Sequence, residues 1–182
     1  QNLINTYNYS LLNPFTEWCF KKHINVLEYS THFKINLEYN KRYIDKITKS
    51  FEYILNKLNT NELILSLSGG VDSMISSVIL KRLEIKYKFR FVAAHINYNN
   101  RTTCNNEVEM LKDWCNFLNI TLYVRNISEI NRPLCMDYGL REVYETYTRN
   151  VRYDVYKSIW YDKLHNSHNV SPIVFLGHNQ DD

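Results

Sequence analysis

The sequence predicts an α/β protein, a doubly wound parallel sheet with helices on both faces, preceded by a helical N-terminal extension. Three observations carry that expectation. From residue 41 onward, short apolar runs alternate with runs of helical period, the pattern of repeated β-α-β units. The run Phe89–Ile96 is apolar on both faces, as a parallel strand covered by helices on each side must be. Between Leu63 and Leu83 a strand-like run, a two-glycine turn and a helical run follow without a gap. In such sheets ligands lie at the carboxyl ends of the strands, where this junction falls.

The elements follow in order. Residues 1–39 are rich in aromatic residues and asparagine, with only local helical patterning, such as Phe15, Trp18 and Cys19 after the cap pair Asn13-Pro14. They are read as an extension, and residues 40–182 as the domain proper. From Lys41 to Leu58 the residues Ile44, Ile47, Phe51, Ile54, Leu55 and Leu58 recur at helical spacing and predict one buried stripe. Leu63–Leu67 is the first strand, and the helix after it is expected to bury Val71, Met74, Ile75, Val78, Ile79 and Leu83. Phe89–Ile96 is the second strand. Glu107–Leu118 is a helix with Val108, Leu111, Cys115 and Leu118 on one face, and Thr121–Ile127 is the third strand. Ser128–Gly139 has turn chemistry around Pro133 and Gly139 and reads as a surface loop. Leu140–Leu164 reads as a long helix and Pro172–Leu176 as a fourth strand.

Bulk properties narrow the class. At 182 residues the chain can bury one domain with an appendage but not two full domains. Hydrophobic content of 45% and charged content of 23% are those of a globular protein, and no apolar stretch approaches the ~20 residues that span a bilayer. A net charge of +3 permits an RNA partner without requiring one. Cys19, Cys104, Cys115 and Cys135 include no C-x-x-C pair, so neither a zinc site nor a dithiol redox motif is indicated. Reduced thiols and a cytoplasmic location are expected, or an organelle if a targeting peptide has been removed.

The junction itself is Ser68-Gly69-Gly70-Val71-Asp72-Ser73. Two glycines let main-chain N–H groups approach an anion with no Cβ in the way, and the first turn of the following helix adds unpaired N–H groups and a favourable dipole. Ser68 and Ser73 add hydroxyl donors. Asp72 makes sense beside phosphate only with a metal ion or a proton between them. Taken alone, the same residues could simply cap a strand-to-helix turn. The Walker spacing and its lysine are absent.

The hexapeptide resembles the SGGxDS loop of the ATP pyrophosphatases, the PP-loop superfamily, whose members split ATP to AMP and pyrophosphate. Three further segments resemble motifs of its tRNA(Ile)-lysidine synthetase family, in the family's order over residues 40–182. His95-Ile96-Asn97-Tyr98-Asn99-Asn100-Arg101 matches H-[VI]-N-H-x-L-R at His95, Ile96, Asn97 and Arg101, with Tyr98 replacing the second His and Asn100 the Leu. Glu145, Arg149, Arg152 and Tyr153 match E-x-x-x-R-x-x-R-Y, a spacing that puts the first three on one helical face. Leu176-Gly177-His178-Asn179-Gln180-Asp181-Asp182 resembles L-G-H-[HN]-x-D-D, which in the family runs on into a helix, so a truncated chain or a missing C-terminal part is expected.

The resemblance implies an adenylating ligase using ATP and Mg2+, acting on the anticodon of a tRNA with free lysine as co-substrate. Ser68, Gly69, Gly70, Val71, Asp72, Ser73, His95 and Asn97 would bind ATP and its pyrophosphate. Asp72, Asp181 and Arg149 would be catalytic, Asp72 and Asp182 would hold magnesium, and Arg101, Arg149 and Arg152 would contact tRNA or phosphate. No membrane partner is expected, and a homodimer is left open. The alternatives are tRNA thiolation on the same fold, with Cys104 as the cysteine to watch, an NAD or GMP synthetase, and a non-catalytic RNA-binding or assembly module.

Overall fold

The structure, a computed structural model, describes residues 37–58, 61–100, 104–164 and 173–177. The extension expected over residues 1–39 therefore lies outside the described residues except at its end. There Leu37 opens helix α1 (Leu37–Leu55), a turn before the expected start at Lys41. The elements after it are β1 (Glu62–Ser66), α2 (Val71–Tyr87), β2 (Arg90–Asn97), α3 (Cys104–Leu118), β3 (Leu122–Asn126), α4 (Arg132–Asp137), α5 (Arg141–Ile159), a π-helical turn (Trp160–Leu164) and β4 (Val174–Leu176). Among the described residues no helix is long and apolar enough to cross a membrane.

The chain divides into two compact units. One holds α1 and the second half of α2. There Lys86 Nζ in the last turn of α2 lies 2.7 Å from Glu52 Oε1 of α1. In α1 Leu55 is buried and Phe51 half-buried, but Ile54, expected in the buried stripe, is exposed.

The other unit holds the sheet, in the order β3-β2-β1-β4 and parallel throughout. The connection from β1 leads to one side of it and β4 pairs on the other, so the topological switch point lies between β1 and β4. Leu65 pairs with Ala93 on one side and Phe175 on the other. Alternation along the strands sets two faces. Ile64, Val92 and Ala94 pack with Tyr156, Ile159 and Trp160 of the α5 side. On the opposite face α3 packs on β2 and β3, and its Trp114 donates from Nε1 to Ser77 Oγ of α2 at 2.9 Å. Each buried Leu or Ile of these strands is worth roughly 1.5–3 kcal/mol. β2 is buried from Phe91 through Asn97, as its two-sided apolar pattern requires, and the doubly wound expectation holds.

Three expectations need correction. In α2, Val71 and Ile75 are exposed at 73% and 41%, while Ser73 and Ser77 are buried. Residues four apart share a helical stripe, and the stripe turned inward is the one whose hydroxyls find partners: Ser73 in the loop and Ser77 on Trp114. The supposed loop Ser128–Gly139 contains α4, capped by Asn131 Oδ1 accepting from Leu134 N at 3.1 Å, with Pro133 in its first turn. No residue of α4 is buried, so it carries no apolar period to read. Finally, α3 starts a turn earlier than expected, at Cys104.

Candidate functional site: a glycine loop and an adjoining cleft

The loop after β1 is held by its own side chains. Gly69 sits at φ +86°, open to glycine at no steric cost. Gly70 donates its N–H to Ser68 Oγ at 3.2 Å and accepts from Met74 N at 3.0 Å, beginning α2. Ser73 donates its hydroxyl to the Gly70 carbonyl at 2.9 Å, and its Oγ lies 3.1 Å from Ser68 Oγ. Val71 and Asp72 are exposed in the first turn. A second approach comes from β4: a Cβ on Gly177 would stand 3.1 Å from Ser73 N and 3.3 Å from the Asp72 carbonyl carbon. Glycine there lets the end of β4 lie directly on the loop–helix junction.

Beside the loop a cleft of about 360 Å3 opens at the carboxyl ends of β1 and β2. Ser66, Leu67 and Ser68 form one wall with Ile96, Tyr98 and Asn100, and Tyr144, Thr148 and Arg152 of α5 form the other, with Arg132 of α4 at the rim. Tyr156 donates its phenol to Ser66 Oγ at 2.7 Å, and burial pushes its pKa up. The side chains lining the cleft include two arginines and no carboxylate. Arg152 Nε is buried and has no hydrogen-bond partner among the described residues, an arrangement that costs free energy until an acceptor arrives. The cleft is therefore built for a ligand with both an apolar or aromatic part and an anionic one.

His95 and Asn97 do not line this cleft; they face the α3 side of β2, because alternation sends Ile96 and Tyr98 to the other side. His95 Nδ1 lies 2.8 Å from the Leu67 carbonyl. Burial lowers the His95 pKa, opposed by that bond and by Glu107, so the neutral ring donates from Nδ1 and braces the residue preceding Ser68. Asn97 donates to Asn126 Oδ1 and accepts from Asn99 N, each at 3.0 Å.

On α5, Glu145 pairs with Arg141 Nε at 2.7 Å rather than primarily with Arg149. Glu145 and Arg149 are exposed, whereas Arg152 enters the cleft. Arg101, Asp181 and Asp182 lie outside the described residues. Among the described residues no cluster of three His, Cys, Asp or Glu could hold a metal, and Asp72 stands as one exposed hard oxygen donor at the loop. Cys104 and Cys115 are buried, and burial pushes the Cys115 thiol up to about 12.

The family profile of a PP-loop domain matches residues 43–182. The chain belongs to the PP-loop family. A tRNA(Ile)-lysidine synthase from Ureaplasma parvum is 26% identical over 136 residues, covering 75% of this chain and 36% of the relative. Another, from Mesoplasma florum, is 33% identical over 128 residues, covering 69% of this chain and 28% of the relative. A 7-cyano-7-deazaguanine synthase from Aliarcobacter butzleri is 44% identical over 66 residues, 36% of this chain and 27% of that one. The PP-loop chain thus spans about a third of the length of the curated relatives it matches.

Sequence reasoning missed Ser66, Tyr144, Thr148, Tyr156 and Arg132, polar residues that only tertiary structure brings together. Strand alternation did carry one legible signal. The period of two along β2 by itself separates His95 and Asn97 from Ile96 and Tyr98.

Proposed function

We propose that this chain is the nucleotide-binding part of an ATP-dependent tRNA-modifying ligase that forms lysidine. The observation that carries the ATP part is Ser68, whose side chain lines the cleft and also braces the glycine turn. A nucleotide with its base in the cleft and its phosphates over the loop would bridge the two. Ser68, Gly69, Gly70, Val71 and Ser73 hold the pyrophosphate end through N–H and hydroxyl donors. His95 and Asn97 act behind the site, bracing Leu67 and the turn after β2. Arg152 supplies the guanidinium for an anionic group in the cleft. Asp72, with Asp182, holds magnesium, an ion that takes carboxylate oxygens and screens the clustered charge of ATP. Asp181 and Arg149 complete the catalytic set, and Arg101 with Arg149 meets RNA phosphate.

In the reaction, O2 of the wobble cytidine attacks the α-phosphorus of ATP and the α–β bond breaks, releasing pyrophosphate. The amine of free lysine then attacks the activated carbon, AMP departs and the amine loses a proton. The domain would run from residue 40 to 182, after an extension over residues 1–39, in a cytoplasmic protein.

Lysidine formation is preferred to other PP-loop chemistries because the lysidine synthase likeness extends over 136 and 128 residues, against 66 for the deazaguanine synthase. Burial argues against Cys104 and Cys115 as sulfur carriers, whereas Cys135 of α4 is half-buried. The test is a thermal melt with ATP and magnesium, followed by incubation with tRNA(Ile) and labelled lysine. At ~100 times its dissociation constant a ligand adds about 2.7 kcal/mol, and Asp72→Ala or Gly70→Val should abolish the shift. Lysine incorporation with stoichiometric AMP supports the ligase. A melt indifferent to millimolar ATP-magnesium overturns the nucleotide reading, and ATP binding without lysine transfer by the longer protein of which the proposal makes this chain a part overturns the ligase.

A further inference from the structure

We propose that Asn100 and Tyr144 are a positioning pair that sets the width of the cleft, an inference that rests on the ATP reading above. The cleft has two walls, the strand ends of β1 and β2 on one side and α5 on the other. Asn100 comes from the first and Tyr144 from the second. Asn100 Nδ2 donates to the Tyr144 phenol at 2.9 Å, and the phenol donates to Asn100 Oδ1 at 3.1 Å. Both ends of this bridge are themselves held. Asn97 is tied to Asn126 of β3 and accepts the N–H of Asn99, which adopts a left-handed conformation at φ +53°. That turn delivers Asn100 to the cleft. Tyr144 is buried, and its carbonyl accepts from Thr148 Oγ1 at 2.9 Å.

A leucine at position 100 could make neither hydrogen bond, so Asn100→Leu removes the bridge. Removing it leaves a half-buried phenol or amide unsatisfied and frees one wall from the other. The loop, anchored by Ser68 and Ser73, contains neither residue.

The full 182-residue chain and its Asn100→Leu, Tyr144→Phe and double variants should be titrated calorimetrically with magnesium-ATP and magnesium-pyrophosphate. Each single variant is expected to weaken ATP about 10-fold and to leave pyrophosphate unchanged. The double variant should be no weaker than the poorer single, because each change removes the same bridge. Where Asn100→Leu does not fold, Tyr144→Phe, which deletes one oxygen, carries the test. Wild-type ATP affinity in the variants, additive losses, or an equal loss of pyrophosphate binding overturns the pair. A wild-type chain that binds neither probe overturns the nucleotide reading and the pair with it.

Discussion

At the scale of a residue, Gly177 illustrates how a missing Cβ organises the site. The atoms it would meet, Ser73 N and the Asp72 carbonyl carbon, belong to backbone at the start of α2 and cannot rotate aside. Gly177→Ala must therefore separate the end of β4 from the loop junction by a few tenths of an ångström, at a cost of roughly 1 kcal/mol, the low end for overpacking. Urea unfolding measures that cost. A parallel titration should find magnesium-ATP affinity reduced by more than the stability loss explains, and an alanine variant matching wild type in both would mean that the junction yields freely. Cys115 makes the opposite point. With its thiol pushed up to about 12, only on the order of one molecule in ten thousand is thiolate at pH 8. Mass mapping after brief alkylation of the native protein should leave Cys115 unlabelled, and Cys115→Ser should retain any tRNA modification. Rapid labelling there would reopen the thiolation reading.

At the scale of an element, the connection from β3 to α5 is held by Glu129. It accepts from the Tyr147 phenol and the Ser128 N–H, each at 2.8 Å, and pairs with Arg125. Backbone hydrogen bonding, then the Tyr147 phenol, lowers its pKa from 4.5 to about 2. A carboxylate lowered on folding contributes stability fully present above its unfolded pKa of 4.5 and lost as pH falls toward about 2. Acid titration between pH 5 and 2 should therefore be shallower in Glu129→Gln than in wild type, and parallel curves would show that the carboxylate does not couple to folding. The same segment marks a limit of the sequence. β2 was legible because a strand buried on both faces must be apolar throughout, and the glycine loop because few residue types suit so tight a turn. Helix α4 was not, since it buries nothing and leaves no period, although Asn131 followed by Pro133 is a helix-start signal. The loop half of the site could be read in this way. The cleft half could not, because Tyr144, Thr148 and Asn100 gain meaning only where α5 crosses the strand ends.

At the scale of the whole molecule, the helix α5 divides its arginines between two tasks that its sequence presents as one. Arg149 and Arg152 share a face by spacing, yet Arg149 is exposed while Arg152 reaches into the cleft with an unsatisfied Nε. Tyr144, Thr148 and Arg152 recur every four residues and form the stripe toward the cleft, and Glu145 and Arg149 form the next stripe outward. Replacing the two arginines separately should accordingly have different consequences. Arg149→Ala should leave magnesium-ATP binding intact, weaken RNA binding uniformly across sequences and reduce the slope of log affinity against log salt by about 1, the signature of one lost phosphate contact. Arg152→Ala should weaken ATP at every salt concentration, because its guanidinium acts inside a cleft where ions screen poorly. Neither change should cost much stability: Arg149 makes no ion pair shorter than 4 Å among the described residues, and removing Arg152 relieves a buried orphan donor. Calorimetry with ATP and filter binding with tRNA at three salt concentrations separate the two. If both variants lose ATP and RNA together, the face acts as a single phosphate track and the division of labour along α5 is wrong.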